Sequence, residues 1–267
     1  MSGRRQRPPA LSENRSADAV RDDIRDFYRS EAEERASEEW LAAGGTARVP
    51  ESRAAHYFVD RKVDAALEAS GLPATADVLE VGSSFGQMTF LLADRFRAVT
   101  AVDLSADAVD LTRRRAERYG VDNVTVEVSD AEHLPFADGA FDAAFSWSVL
   151  RYVPHPERAL SEMHRVLRPG GRLAVDFPNK YCPWFGPVKA ILRIKPHVHD
   201  RLFSATEVRR MAIDAGFADV RTRPMLFTTR RLPDGLLPAA RVTDALLERT
   251  PGLRQLAAVI LVTGRKP

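Results

Sequence analysis

Val78-Leu79-Glu80-Val81-Gly82-Ser83-Ser84-Phe85-Gly86, followed by Ala98-Val99-Thr100-Ala101-Val102-Asp103-Leu104-Ser105, is the stretch that decides how this chain folds. Each half opens with a short, nearly all-apolar run rich in β-branched residues, the pattern of a strand buried on both faces. Each run ends on an acid followed by small residues. Between them, Met88-Thr89-Phe90-Leu91-Leu92-Ala93-Asp94-Arg95-Phe96 carries helical spacing. Strand, glycine-bearing turn, helix, strand is the unit from which parallel sheets are built.

Outward from that unit the alternation continues. A helix is expected through Ala106-Asp107-Ala108-Val109-Asp110-Leu111, and strands at 124–130, 141–149 and 172–178. A further helix precedes Arg168-Pro169-Gly170-Gly171. Beyond 203 the pattern resumes with a helix at 204–215 stopped by Gly216, a strand at 218–227, a mixed stretch, and a last strand at 257–263. The alternation predicts an α/β fold, a doubly wound and mostly parallel sheet with helices on both faces. Residues 17–43 and 52–70 read as helices standing before the first strand, a helical cap over 17–70. Residues 1–16, rich in Arg, Pro and Ser, read as a flexible arm. The sheet domain then covers 71–267, and 179–203 interrupts it after the fifth strand as a lid.

Composition narrows the function. With 267 residues, 45% hydrophobic and 28% charged, the chain has an ordinary globular make-up. Its net charge of +2 excludes a generally polycationic nucleic-acid binder. Cys182 is the only cysteine, which excludes an internal disulfide and a cysteine-based zinc site and points to a reducing, cytoplasmic setting. No apolar run approaches the ~20 residues that cross a bilayer, and the amino terminus lacks the apolar core of a signal peptide.

In an open α/β sheet, ligands bind beyond the carboxyl ends of the strands. The informative residues are Glu80, Gly82, Ser84 and Gly86 after the first strand, Asp103 and Leu104 after the second, Asp130 and Ala131 after the third, and Ser146-Trp147-Ser148 after the fourth. A nicotinamide-binding fingerprint would need glycines at 82, 84 and 87. Ser84 and Gln87 stand there instead, and the acid at Glu80 would repel a pyrophosphate.

These residues, together with Asp130-Ala131-Glu132-His133-Leu134-Pro135-Phe136, Phe141-Asp142 and Arg168-Pro169-Gly170-Gly171, resemble the class I S-adenosylmethionine-dependent methyltransferases, especially the branch with ubiquinone and menaquinone biosynthesis enzymes. The resemblance implies a Rossmann-like seven-stranded sheet and S-adenosyl-L-methionine as cofactor. It implies Gly82 and Gly86 beside the methionine moiety with Glu80 near its ammonium, Asp103 on the ribose, and Leu104, Asp130 and Ala131 around the adenine. Ser146 belongs to the same expected cofactor set. Ser84 departs from the family's middle glycine and puts a side chain where none is expected.

Methyl transfer from a sulfonium depends mainly on positioning, and a base is required only if the acceptor must lose a proton. His155 and Tyr152, after the fourth strand, are the candidates near the acceptor, with a helix-entry contact as the plainer reading. The lid offers Tyr181, Trp184, Lys189 and Arg193 as candidate acceptor-binding residues. Between Lys180 and Arg231, eleven Lys or Arg face four Asp or Glu, which suits an acceptor with an apolar or aromatic body and an anionic group, or peripheral contact with an anionic membrane. No metal ligand set is legible. The expected reaction is O- or C-methylation of a small molecule such as a phenol, quinone precursor, polyketide or lipid-like metabolite. The alternatives are a cofactor-binding accessory protein without transfer activity, and a methyltransferase acting on RNA or protein.

Overall fold

The computed structural model describes residues 16–43, 48, 51–183 and 201–267. The expected arm, but for Ser16, lies outside the described residues, as does most of the expected lid.

Seven strands form one sheet in the order β3-β2-β1-β4-β5-β7-β6. They are β1 (Asp77–Val81), β2 (Ala98–Asp103), β3 (Val124–Val128), β4 (Phe141–Ser146), β5 (Leu167–Pro178), β6 (Ala218–Met225) and β7 (Val259–Arg265). β1 through β5 pair in parallel, whereas β7 runs antiparallel to both β5 and β6. The period-two geometry of a strand sends its residues to two cores in turn. On β5, Leu173, Val175 and Phe177 enter one core with Leu160 and Met163, while Ala174 enters the other with Val59, Val63 and Leu92. On β7, Ile260 and Val262 join the first core, Val259 and Leu261 the second. Burial on both faces explains the almost unbroken apolar runs.

The helices are α1 (Ala17–Arg35), α2 (Glu38–Ala42), α3 (Arg53–Ser70), α4 (Thr89–Ala93), α5 (Ala106–Arg118), α6 (Pro156–Val166), α7 (Ala205–Asp214) and α8 (Leu237–Arg249). Several start on a serine whose hydroxyl accepts an otherwise unpaired backbone N–H: Ser16 before α1, Ser52 before α3, Ser105 before α5 and Ser204 before α7.

Besides shifts of a few residues at strand ends, such as β4 stopping at Ser146, the structure differs from the sequence expectation as follows. The helical pattern expected over 17–43 is two helices, because the Ser37 hydroxyl accepts from Trp40 N and starts a new one. β5 begins at Leu167, five residues early, since Leu167 pairs with Phe141 before a register shift. The mixed stretch after β6 contains α8.

The segment around α2 is fastened to α5 by Arg115, which is fully buried. Its guanidinium donates to the carbonyls of Trp40 and Leu41 at 2.9 and 3.0 Å, and to that of Arg48 at 2.8 Å. Trp40 and Tyr28 in turn pack on Phe85 of the glycine loop, with ring centroids 6.4 and 6.1 Å apart.

Candidate functional site

The strand order reverses between β1 and β4, one leading to β2 and β3 and the other to β5. Beyond the carboxyl ends at that point lies a cavity of about 280 Å³ roofed by α1. The loop after β1 forms its floor. Gly82 and Ser83 donate their N–H groups to the Val102 carbonyl at 2.7 and 3.0 Å, folding the loop back over β2. Gly82 has φ +82°, and a Cβ added there would lie 2.1 Å from Val149 Cγ2. The close approach of two loops requires glycine at this position.

Ser84 adopts φ 49°, the left-handed region that a glycine would enter freely. It is held there from both sides. Its N–H donates to Asp103 Oδ2 at 2.7 Å, and its carbonyl accepts from Thr112 Oγ1 at 3.1 Å. The backbone therefore turns as a glycine's would, with the serine side chain added at the cavity wall. Asp103 also accepts from Ser105 N at 3.0 Å. Burial pushes its carboxyl upward, while the N–H donors of Ser105, Ser84 and Leu104 pull it down.

Three buried polar atoms on this wall have no hydrogen-bond partner: Ser83 Oγ, Gln87 Nε2 and Trp147 Nε1. Glu51, which also lines the cavity, adds a fourth such atom, its Oε2; buried polar groups are normally satisfied, so the cavity is lined by an uncommon number of unpaired ones.

On the far side, Asp130 is fixed by an ion pair from α1. Arg21 of α1 donates from Nε to Asp130 Oδ2 at 2.7 Å, and its Nη2 lies 3.1 Å from the fully buried Glu132 Oε1. Glu132 N donates to Asp130 Oδ1 at 2.9 Å. The sequence offered no local signal for Arg21, which lies 109 positions from its partner.

Among the residues expected to bind a cofactor, Gly82, Ser84, Asp103, Leu104, Asp130 and Ala131 line this cavity together. Glu80, Gly86 and Ser146 stand behind the wall. Ser146 Oγ donates to the Val81 carbonyl at 2.8 Å, tying β4 to β1. A Cβ at Gly86 would strike the Phe90 ring and Thr112. Glu80, 1% exposed, accepts from Thr89 Oγ1 at 2.5 Å. Burial pushes its carboxyl up to about 8, opposed by the Thr89 hydroxyl and assisted by the Asp103 charge. The folded chain then keeps a proton that the unfolded chain releases near the ordinary value of 4.5. The stability from this group is complete at low pH and falls as pH rises through that window. Glu80→Gln should flatten that fall, measured as urea midpoints between about pH 5 and 8. An unchanged slope would show that Glu80 is ionised throughout.

Of the two candidate catalytic residues, Tyr152 lines the cavity, and burial pushes its phenol upward. His155 does not line it. That residue stands before α6, with Nδ1 3.5 Å from Glu157 Oε1 and its backbone N–H directed at Glu132. Tyr181 is exposed and away from the cavity. Trp184, Lys189 and Arg193 lie outside the described residues. Among the described residues, no group of His, Cys, Asp and Glu could hold a metal ion.

Next to Tyr152 lies a buried ion pair that the sequence reading missed. Lys62 of α3 and Asp176 of β5 are both nearly inaccessible, with Nζ 2.8 Å from Oδ2. Lys62 also donates to Ser148 Oγ at 3.0 Å, and Ser148 N donates to Asp176 Oδ1. Ser148, with φ 60°, lines the cavity. The pair thus pins the loop after β4 in a conformation that a free serine would rarely take.

Residues 79–175 match the family described as methyltransferase domain. A ubiquinone/menaquinone biosynthesis C-methyltransferase, UbiE of Bartonella tribocorum, is 38% identical over 116 residues, 42% of this chain and 45% of that protein. An uncharacterized 37.1 kDa protein in transposon TN4556 of Streptomyces fradiae is 31% identical over 175 residues, 61% of this chain and 49% of that one. The chain therefore spans less than half the length of these curated relatives. Among solved structures, geranyl diphosphate C-methyltransferase from Streptomyces coelicolor A3(2) has a TM-score of 0.62 at 21% identity, covering 93% of this chain and 98% of that chain. At that identity the likeness is one of fold. The (4+2)-cyclase SpnF has a TM-score of 0.58 at 25% identity, covering 78% and 80% of the two chains.

Proposed function

We infer the function from the premise that residues 79–175 of this chain form a class I S-adenosylmethionine-dependent methyltransferase domain. The cofactor is S-adenosyl-L-methionine. Our reading is that the whole chain is a cytoplasmic enzyme transferring a methyl group to a small-molecule oxygen or carbon, on a phenol, quinone precursor, polyketide or lipid-like metabolite. The observation that carries it is the set of unpartnered Ser83 Oγ, Gln87 Nε2 and Trp147 Nε1 sharing one cavity with Asp103. In domain terms, 17–70 forms a cap that closes the cavity over 71–267.

The residues present fit the cofactor. Gly82, Ser83, Gln87 and Trp147 would take its amino-acid end, where the loop comes close and polar groups need partners. Asp103 would accept the ribose hydroxyls, and Leu104, Asp130 and Ala131 would enclose the adenine. When bound, the cofactor supplies a methyl group on a sulfonium, a leaving group that needs no protonation. The protein's part is then to hold the acceptor in line and keep water out. Ile24, Phe27, Tyr28 and Val153 supply an apolar, partly aromatic wall for that purpose. Tyr28 and Tyr152 have their phenols pushed upward, chiefly by burial, so both keep their protons at neutral pH. They act by hydrogen bonding to the acceptor, and neither serves as base.

Tyr152→Phe should lower kcat/KM for transfer by about 2- to 10-fold, the worth of one neutral hydrogen bond, with cofactor affinity nearly unchanged. Equal loss of both would place Tyr152 on the cofactor. The reading as a whole is tested by incubating the protein with methyl-labelled S-adenosylmethionine and a panel of phenolic, quinone-precursor and isoprenoid acceptors. Labelled product supports it. Tight cofactor binding with no transfer to any acceptor favours an accessory protein, which the serine at position 84 would suit.

A further inference from the structure

The acidic side chains of the segment between β6 and β7 all turn inward. The Asp234 carboxylate accepts the N–H groups of Arg53 and Ala54 and caps α3. Asp244, 1% exposed, accepts from Tyr57 Oη, from Thr228 Oγ1 and from the N–H groups of Phe227 and Thr228. Glu248 accepts from Arg61 and from Leu226 N. No other acid occurs between Phe227 and Ala257.

What faces outward is of one kind. α8 buries only Leu237 and Asp244. On its opposite side Val242 and Leu246, one helical turn apart, are 59% and 62% exposed. Leu236 precedes them, and the short helical turn Leu253–Leu256, packed beside α8, exposes Leu253 and Leu256. Arg231, Arg249 and Arg254 are exposed in the same segment. Asn179 Nδ2 donates to the carbonyls of Gln255 and Ala257, which brings exposed Lys180 and Tyr181 to the same edge.

We propose that this face, the outer side of α8 with the turn at 253–256, docks on an anionic lipid surface. Leucine and valine along a helix lying flat, bordered by cations whose long stems reach back to the headgroups, is the composition such a surface binds. The charge balance selects the occupant. A second copy docking on the same face would set arginines against arginines with no carboxylate between them. The hollow beside α8, lined by Arg223, Arg249 and Arg254 among others, offers cations to a headgroup rather than the apolar pocket that anchors a protein interface. No helix among the described residues is long and apolar enough to cross a membrane, so the contact is peripheral. The proposal stands independently of which acceptor is methylated.

The test is sedimentation of the full chain with vesicles of phosphatidylcholine alone and of phosphatidylcholine mixed with phosphatidylglycerol. Binding to the mixed vesicles is expected, weakening as salt rises. V242D/L246D should weaken it by about tenfold or more while S-adenosylmethionine affinity and thermal midpoint stay near those of the parent. R249Q/R254Q should lower binding and flatten its salt dependence. Absence of binding to the mixed vesicles, or equal binding by V242D/L246D, would overturn the proposal. So would a concentration-dependent dimer that V242D/L246D abolishes without any vesicle binding.

Discussion

Asp103→Ala is expected to weaken S-adenosylmethionine binding by about a hundredfold or more. Asp103 stands at the end of β2, directed into the cavity, with one bond on each oxygen from Ser84 N and Ser105 N. Leu104 N–H also acts on the carboxylate, and the acceptor capacity left over of its roughly four lone-pair sites is what the ribose hydroxyls would share. Two charge-assisted hydrogen bonds at about 1.5 kcal/mol or more each give that factor, since about 1.4 kcal/mol is tenfold. The same carboxylate also holds Ser84 in its left-handed conformation, so the variant loosens the loop as well. Asp103→Asn is the milder version of the same change. Its amide keeps the shape and one acceptor oxygen but turns its NH2 towards one of the two N–H donors, and should fall between Asp103→Ala and the parent in both affinity and thermal midpoint. Unchanged affinity in both variants would remove Asp103 from the cofactor site.

The second large effect is expected at the buried ion pair. Asp176→Ala leaves the Lys62 ammonium without its carboxylate in a place water does not reach, and should cost about 3–5 kcal/mol of stability, read from urea unfolding. Burial already lowers the Lys62 pKa against the pull of Asp176. Without Asp176 the folded chain releases the Lys62 proton more readily than the unfolded chain does. The unfolded state then binds more protons over a wider range, so the stability of the variant should rise with pH from a lower pH, and by more, than the parent's. Replacing both partners by apolar residues, Lys62→Met with Asp176→Leu, should restore much of the loss. That double variant carries a second expectation. It removes the side chains that hold Ser148 and should therefore lower transfer even where stability has returned. A double variant with full activity would show that the pair serves the core alone.

Most of the sheet was legible because its strands are buried on both faces, and residues such as Val78 to Val81 advertise this without help from distant parts of the chain. The floor of the site was legible for a related reason. Gly82, Asp103 and Asp130 follow their strands directly, and in this topology strand ends converge. What could not be read depends on long separations or on missing periodicity. Arg21 meets Asp130 across 109 positions, and Lys62 meets Asp176 across 114. No local pattern announces either. α8 was passed over because a helix with only Leu237 and Asp244 buried has no apolar repeat to detect. The division between α1 and α2 rests on a single hydroxyl, that of Ser37, inside a run whose composition is helical throughout. His155 looked close to the acceptor because it follows β4, yet the turn at 150–155 carries it past the cavity and leaves Tyr152 facing in.

The central claim is that the cavity between β1 and β4 holds S-adenosylmethionine. Calorimetric titration of the full chain with S-adenosylmethionine, S-adenosylhomocysteine and NAD, repeated on Asp103→Ala, tests it most directly. Saturable one-to-one binding of the two sulfur compounds, lost in the variant and not seen with NAD, is the predicted result. Absence of heat with either sulfur compound, or binding that Asp103→Ala leaves unchanged, would contradict it.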